Sequence, residues 1–375
     1  MSIIFLFPWH VHAADSVEVG LYKEHQTIIA NGINFEGYHR RGGNEVLASK
    51  FTAMLNALNS QLLRVGTPLE EWEPSNDDND PENFQWDGFR ESSGVSNSFQ
   101  RLQRLANDGY DLWLAIWDIA DWNVKNPGND SQRRIKDIDE FVESITAYVL
   151  RAREKYGAEP MYVSVNEPSI AAENGWGGYQ IALTPEEQAE IILKAGQRFQ
   201  ELGLSTKWLI ALHKVYPSEL EQAQQIYEMP GVVEHIGGFD FHGYWWQDGH
   251  DDELAAWAAW TSSTGLPNFA GECDYDNQFW QRDSADKARW THALETAKLL
   301  YKMYDVARAE GSLLWYGDAP TSNRPYRYAN KHFYDFMNPG SIILQSNSSS
   351  NAIFSTAFKH KTDDEFAQIL LNTSN

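Results

Sequence analysis

Short apolar runs alternate with long amphipathic segments along most of the chain, beginning at about Asn31. Alternation of this kind is typical of repeated βα units and favours a parallel sheet. Eight apolar runs are predicted to be strands, and an amphipathic segment follows each of them. The predicted strands cover residues 31–38, 61–66, 111–117, 161–166, 207–213, 236–244, 267–272 and 312–317.

Two of the amphipathic segments carry clear helix boundaries. Apolar residues spaced three and four apart run from Ile135 to Val149, and Gly157 closes that segment. In a second segment Thr184 is placed to cap, Pro185 takes the first helical position, and Glu187 completes a capping box. Eight such units predict an α/β fold, a (β/α)8 TIM barrel over residues 31–337. An open doubly wound sheet is the alternative, and no Gly-rich phosphate loop follows the first strand to support it.

The segments on either side of the barrel have a different pattern. Residues 15–30 and 338–375 alternate between apolar and polar positions, as antiparallel strands joined by polar turns do. We expect the two segments to pair into a small, partial β-sandwich. The C-terminal segment supplies only about three strands, which predicts that the sandwich is incomplete.

Residues 1–14 are predicted to be a secretory signal peptide. A short apolar segment precedes Val11, His12 and Ala13, a small-residue pattern compatible with cleavage near Ala13 or Ala14. The usual basic residue of such a peptide is missing, and a buried first strand is the alternative interpretation. The expected location is secreted or periplasmic.

Composition and charge narrow the classes of partner. The formal charge of −23 repels nucleic acid and anionic membranes, so a neutral or weakly charged ligand is expected. No run reaches the roughly 18 to 20 apolar residues of a membrane span. The 15 Trp, 17 Tyr and 18 Phe exceed what packing usually needs, and aromatic rings in a groove are suited to stacking on sugars. A single cysteine, Cys273, excludes an intrachain disulfide and a Cys-based zinc cluster. We expect a monomer.

Two predicted strands end in glutamate. Glu167 closes the fourth and Glu272 closes the seventh, at the barrel end where active sites of this architecture lie. A carboxylate in apolar surroundings is costly unless it has a partner or a task. Glycoside hydrolysis requires two carboxyl groups, one to protonate the leaving oxygen and one to attack the anomeric carbon or activate water.

With Asn166-Glu167-Pro168 after strand four and Glu272 after strand seven, the sequence resembles the large clan A of retaining glycosidases built on (β/α)8 barrels. The resemblance covers nearly the whole barrel. It implies that Glu167 is the acid/base and Glu272 the nucleophile, and that Asn166 hydrogen-bonds the sugar 2-hydroxyl.

Further strand-end residues match the same pattern. Arg64, at the end of strand two, is suited to keep the nucleophile ionised through a charge-assisted hydrogen bond. His242 and Tyr244 are two residues apart and so share one face of strand six. In the clan, that Tyr donates to the nucleophile and that His borders the first subsite. Trp315, at the end of strand eight, matches the aromatic platform under the sugar.

Within the clan, the sequence is similar to two families. The segments around Glu272 and Tyr244 resemble the cellulase-type family 5, whereas the terminal segments resemble family 30, which holds glucosylceramidases and glucuronoxylanases. Many family 5 enzymes have a His at the end of strand three, where this chain has Trp117 and Asp118. That departure disfavours a simple cellulase.

Other polar and aromatic residues follow strands and are candidates for sugar contacts. The substrate-binding candidates are His39, His213, Trp117, Trp176 and Trp245, with Trp72, Trp86, Trp122 and Trp246 as further platforms. Residues 76–87 resemble a calcium loop, but Pro81 replaces the Gly that the sharp turn needs, so this segment is interpreted as a solvated acidic loop. No metal and no cofactor are expected.

The sequence therefore predicts a secreted retaining β-glycosidase that hydrolyses O-glycosidic bonds of a polysaccharide or oligosaccharide by double displacement. Two alternatives stay open. One is a catalytically inactive barrel that binds carbohydrate, and the other is a transglycosylase that uses the same carboxylate pair.

Overall fold

The structure is a computed structural model that describes residues 16–34, 55–56, 58–128, 133–168, 181–244, 246, 248–274, 289–315, 325–360 and 366–373. The signal peptide expected at residues 1–14 lies outside this part of the chain. None of the helices in the described part combines the length and the apolar composition that a membrane span needs.

Eight parallel strands close into a barrel, in sequence order around the ring. Every predicted apolar run overlaps one of these strands, so the predicted TIM barrel is confirmed and the open doubly wound sheet is wrong. The strands are β2 (Gly32–Asn34), β3 (Leu62–Gly66), β4 (Asp111–Ile116), β5 (Tyr162–Val165), β6 (Lys207–Ala211), β7 (Ile236–His242), β8 (Asn268–Cys273) and β9 (Gly311–Trp315).

The barrel strands are buried on both faces, which explains their nearly continuous apolar runs. Side chains that point inward fill the barrel: the Trp113 ring lies 6.1 Å from that of Phe269 and 6.4 Å from that of Tyr162. Cys273 packs in the outer layer between strands and helices, as alternation from Glu272 predicts. The interior is thus a packed core, and polar side chains gather at one end of it.

Helices surround the barrel and begin where the sequence indicates. Thr184 Oγ1 accepts a hydrogen bond from the Glu187 backbone N–H at 3.1 Å, and Glu187 Oε2 accepts one from the Thr184 N–H at 2.8 Å. Gly157 ends another helix at φ 62°, a left-handed conformation that favours glycine. The helices are Leu69–Trp72, Ser93–Asn107, Ile138–Tyr156, Pro185–Glu201, Pro217–Glu228, Asp251–Thr264, Trp290–Tyr301 and Pro325–Tyr334, with 3-10 turns at Asp121–Asn123 and Val232–Glu234 and a π-helical turn at Lys302–Val306.

The terminal segments pair with each other, as predicted. β1 (Val17–Thr27), β10 (Ser341–Ser348), β11 (Ile353–His360) and β12 (Phe366–Asn372) form a four-stranded antiparallel sheet in the order β1-β10-β11-β12. The sheet packs beside helix Trp290–Tyr301, where the Tyr301 ring lies 5.0 Å from that of Phe354. Together, barrel and sheet confirm the predicted fold class.

Candidate active site

Polar side chains from four barrel strands meet at the C-terminal end of the barrel. Each strand delivers its residues within two positions of its last one, which is why residues far apart in sequence become neighbours. Register shifts interrupt the β7–β8 pairing at His242 and the β8–β9 pairing beyond Ala270. Such irregularities re-aim side chains at strand ends. The residues brought together are Arg64, Asn166, Glu167, His242, Tyr244 and Glu272.

Glu272 is held by two donors. Arg64 Nη1 lies 2.7 Å from Glu272 Oε1, and the Tyr244 hydroxyl donates to Oε2 at 2.8 Å. The carboxyl group is 2% exposed. Burial raises the pKa of Glu272, and the Arg64 guanidinium and the Tyr244 hydrogen bond act against that rise. Both oxygens therefore have fixed positions, set by charge-assisted hydrogen bonds.

Glu167 has an unusual backbone conformation. Its φ is 45°, in the left-handed region that a non-glycine residue enters at a cost. The preceding amide is fixed, since the Asn166 N–H donates to the Ile116 carbonyl at 2.8 Å. Strain of this kind concentrates at functional sites, and here it directs the Glu167 side chain toward the group around Glu272.

One histidine connects the two carboxylates. His242 Nδ1 lies 2.8 Å from Glu167 Oε1 and 3.3 Å from Glu272 Oε2. His213 Nε2 lies 3.5 Å from the same Glu167 oxygen. Burial lowers the pKa of His242 to about 4, which the Glu167 carboxylate only partly offsets, so its ring is neutral at pH 7.

The carboxylates are close enough to act on one atom of a ligand. One side-chain ligand atom each from Glu167, His242 and Glu272 can be chosen so that all lie within 4.8 Å of one another. These three groups have the spacing of a metal site. However, Arg64 and Tyr244 already occupy the two Glu272 oxygens, and the guanidinium charge disfavours a cation there.

Arg64 also positions Asn166, because its Nη2 donates to Asn166 Oδ1. That bond orients the amide so that Asn166 Nδ2 lies 3.4 Å from Glu167 Oε2. Arg64 is fully buried, and its guanidinium lies 5.2 Å from the centre of the Trp113 ring. One cation thus organises both glutamates, directly on one side and through an amide on the other.

Two buried residues of the site are missing from the sequence prediction. Asp240 Oδ2 lies 4.0 Å from Arg64 Nη2, and burial raises the pKa of Asp240 to about 7. Lys214 Nζ donates to the Tyr244 carbonyl at 2.6 Å, and burial lowers the pKa of Lys214 to about 7. The alternation of residues 240, 242 and 244 along β7 was the available signal for Asp240. Lys214 lies three residues beyond the end of β6 and carried no comparable signal.

An aromatic wall stands beside Glu272. The Trp117 and Trp315 rings have centroids 5.8 Å apart, and the Trp315 ring lies 6.4 Å from that of Tyr244 at an interplanar angle of 84°. Both tryptophans are half-buried. Their Nε1 atoms have no hydrogen-bond acceptor among the described residues. The indole nitrogens themselves are buried, so the wall offers apolar ring faces to a ligand.

The other tryptophans have different surroundings. Trp72 is 0% exposed and donates from Nε1 to the Ser144 carbonyl at 3.2 Å, so its prediction as a sugar platform is wrong. Trp246 is 1% exposed, against Tyr216, and the same correction applies. Trp72 ends the short helix Leu69–Trp72, and its ring packs against Phe99 and Tyr148 of the helical layer. Trp122 donates to the Glu73 carbonyl at 2.9 Å, and Trp86 lies under Arg151, with the guanidinium 4.5 Å from the ring centre.

Three predicted contacts fall on residues outside the described part of the chain. They are His39, Trp176 and Trp245.

Asp118, which follows β4, is paired with Arg133, with 2.6 Å between Oδ1 and Nη1.

Comparison with known proteins supplies relatives at the level of structure. No protein-family model and no curated protein matches the sequence. An endo-β1,6-glucanase is 17% identical, with 95% of this chain and 86% of that chain covered and a TM-score of 0.68. SrfJ from Salmonella typhimurium is 15% identical, with 94% and 84% covered and a TM-score of 0.72. A GH30 endoxylanase from Clostridium papyrosolvens is 14% identical, with 92% and 82% covered and a TM-score of 0.66. The resemblance to the clan A barrel is thereby confirmed for the fold.

Proposed function

We propose that the protein is a secreted or periplasmic retaining β-glycosidase that cleaves O-glycosidic bonds of a neutral or weakly charged β-linked glycan. The observation that carries this proposal is the position of His242 Nδ1, 2.8 Å from Glu167 and 3.3 Å from Glu272. An oxygen of each carboxylate can be chosen so that the two lie within 4.8 Å of each other, which is closer than an inverting pair that must hold the glycan and a water molecule between them at the same time. Carboxyl groups about 5–5.5 Å apart favour double displacement, and about 6.5–9.5 Å favours inversion.

In the first step Glu272 attacks the anomeric carbon while Glu167 donates its proton to the departing glycosidic oxygen. The C–O bond to the leaving sugar breaks, and a glycosyl ester of Glu272 forms. In the second step Glu167 removes a proton from water, whose oxygen attacks the same carbon and releases Glu272. The anomeric configuration is inverted twice and is therefore retained.

The surroundings of the two glutamates differ in the way these roles require. Glu272 receives a guanidinium at 2.7 Å and a hydroxyl at 2.8 Å, and both stabilise its ionised form. Glu167 Oε1 lies 2.8 Å from His242 Nδ1, and that imidazole is neutral at pH 7. Because their environments differ in this way, Glu272 is suited to act as the nucleophile and Glu167 as the acid.

The substrate class follows from the wall and from the relatives. Trp117 and Trp315 offer flat faces next to Glu272, which suits stacking against a sugar ring. The charge of −23 disfavours strongly anionic glycans. The names of two structural relatives, an endo-β1,6-glucanase and an endoxylanase, support a β-linked glycan.

The test is a screen of the full chain on β-glucans, xylan, mannan and galactans, with sizing of the products. NMR of the first product released should show the β-anomer; an α-anomer as first product would overturn double displacement. Products longer than the substrate would instead identify a transglycosylase.

A variant separates hydrolysis from binding. Glu272→Gln removes the nucleophile but keeps the shape of the side chain, so turnover should fall to background while oligosaccharide binding persists. Unchanged turnover would remove Glu272 from the mechanism. Binding by the wild type without turnover on any glycan would favour the inactive carbohydrate-binding barrel.

A further inference from the structure

A second acidic cluster lies away from the candidate active site. Glu73 and Asp77 belong to the loop after β3, and Glu140 belongs to the first turn of helix Ile138–Tyr156. One carboxylate oxygen from each of the three can be chosen so that all lie within 4.8 Å of one another. Glu143 follows Glu140 by three positions and so lies on the same side of the helix.

Glu73, Glu140 and Glu143 are buried without a cationic partner among the described residues. Glu73 is 0% exposed and Glu143 is 1% exposed, and none of their four oxygens accepts a hydrogen bond from a described residue. Glu140 Oε2 also accepts no hydrogen bond from a described residue. Among the described residues no Lys, Arg or His forms an ion pair with Glu73, Asp77, Glu140 or Glu143. Buried charge of this kind is normally paired or bound to a metal.

The protonation of the cluster reflects this arrangement. Burial raises the pKa of Glu73 to about 8, although the Ser144 hydroxyl and the Asp77 backbone amide lie near enough to lower it in part. Burial, with Asp77, Glu140, Glu73 and Asp78 adding repulsion, raises the pKa of Glu143 to about 9. The pKa of Glu140 is raised by burial and by Asp137, Asp77 and Asp78.

Asp77 differs from the glutamates because backbone amides donate hydrogen bonds to its carboxylate. Its Oδ1 accepts the Asp78 backbone N–H at 2.7 Å, and its Oδ2 accepts the Gln85 N–H at 3.0 Å. Each carboxylate oxygen has more than one lone pair, so both can still bind a cation. The two amides fix the carboxylate in place before any ligand arrives.

We propose that Glu73, Asp77 and Glu140 bind a calcium ion that ties the loop after β3 to helix Ile138–Tyr156. The donor set consists only of oxygens, which suits Ca²⁺ or Mg²⁺ and disfavours zinc and copper. Ca²⁺ accepts an irregular shell of 6–8 oxygens and tolerates bidentate carboxylates, whereas Mg²⁺ demands a near-ideal octahedron and keeps its waters. Three carboxylates from two elements, of which Glu73 and Glu140 are buried and Asp77 is half-buried, fit the calcium case.

This site is not the linear calcium loop that residues 76–87 resemble. Pro81 rules out the sharp turn of such a loop, and Asp87, at its last position, is exposed. The ligands come from tertiary packing, so no spacing in the sequence indicated them. The proposal is independent of glycoside hydrolysis and replaces the expectation that no metal is bound.

The test measures thermal unfolding of the full chain after chelation, with CaCl₂ or MgCl₂ added back, together with calorimetric titration. We expect Ca²⁺ to raise the Tm with the logarithm of its concentration above the Kd, by about 3 °C at a hundredfold excess over the Kd, and Mg²⁺ to have a smaller effect.

Substitutions test whether the calcium response comes from this cluster. Glu73→Gln should abolish the calcium response, and Glu140→Gln serves if that variant does not fold. Asp87→Asn, an exposed carboxylate in the same loop, should keep the response of the wild type. No calcium binding to the wild type at about 10 mM, above the Kd of weak extracellular sites, would overturn the proposal, and so would a full response in Glu73→Gln.

Discussion

Arg64 and Glu272 form a fully buried ion pair, with 2.7 Å between Nη1 and Oε1 and side-chain exposures of 0% and 3%. The pair joins β3 to β8 across the barrel mouth. Burial alone disfavours an ionised carboxylate, so the state of Glu272 depends on this one cation more than on any other single group. Substitution of Arg64 therefore tests how the ionisation of Glu272 is controlled.

Replacing Arg64 by Met should move the acidic limb of the pH profile of kcat/KM to higher pH. Removal of the cation raises the pKa of Glu272 further, so a higher pH is needed to ionise the nucleophile, and the shift should be about 1–3 units. The measurement is kcat/KM against pH on an aryl β-glycoside.

Folding has to be controlled in this experiment, because breaking a buried pair costs about 3–5 kcal/mol. Arg64→Lys keeps the charge but cannot reach both Glu272 and Asn166, so a smaller shift is expected. Arg104→Met, on the outer face of helix Ser93–Asn107, should leave the profile unchanged. An unshifted limb in both Arg64 variants would contradict the role assigned to Arg64.

Glu167→Ala should separate substrates by their leaving groups. A natural glycan needs a proton on its departing oxygen, so turnover should fall by about 10²–10⁴-fold, the usual contribution of a general acid. A dinitrophenyl glycoside needs no such proton, and formation of the glycosyl enzyme on it should be nearly normal. We expect a burst of phenolate release followed by slow steady-state turnover. Equal losses on both substrates would argue that Glu167 is not the acid.

Hydrophobic pattern alone was sufficient for the barrel. Each βα unit buries its own strand and helix face, so the period of the apolar residues reports the fold locally, as in the segment closed by Gly157. The capping box at Thr184 was readable for the same reason, since all its atoms come from four consecutive residues.

The site was predictable only where strand ends carry polar residues. Arg64, Glu167 and Glu272 could be brought together because the barrel fixes where strand ends meet. The hydrogen bonds between them could not be predicted, since the left-handed φ of Glu167 and the β7–β8 register shift depend on tertiary packing. The prediction for Trp72 was wrong for a related reason: this residue ends the short helix Leu69–Trp72, and no local pattern shows that its side chain is buried there.

Trp117 and Trp72 should therefore respond differently to truncation. Trp117→Ala removes part of the aromatic wall, and we expect KM to rise with little change in Tm. Trp72→Ala removes a core side chain, so the free energy of unfolding should fall by about 3–5 kcal/mol while the KM of the remaining folded protein stays the same. Trp72→Phe should recover part of that stability. A normal KM in Trp117→Ala would contradict its assignment to the wall.

Gly271 should be intolerant of a side chain because of its neighbours. A Cβ there would lie 2.0 Å from Asp240 Oδ1 and 2.6 Å from the Trp113 ring. We expect Gly271→Ala to lower the free energy of unfolding by about 1–3 kcal/mol, measured by chemical denaturation. Because part of the clash is with Asp240, the same substitution should cost less in an Asp240→Ala background. Gly20→Ala, on the terminal sheet, is the control, since its nearest contacts are flexible Lys23 atoms at 3.2 Å. Equal costs in the two backgrounds would show that Asp240 is not what excludes the methyl group, and would leave Trp113 as the reason for glycine at the base of the site.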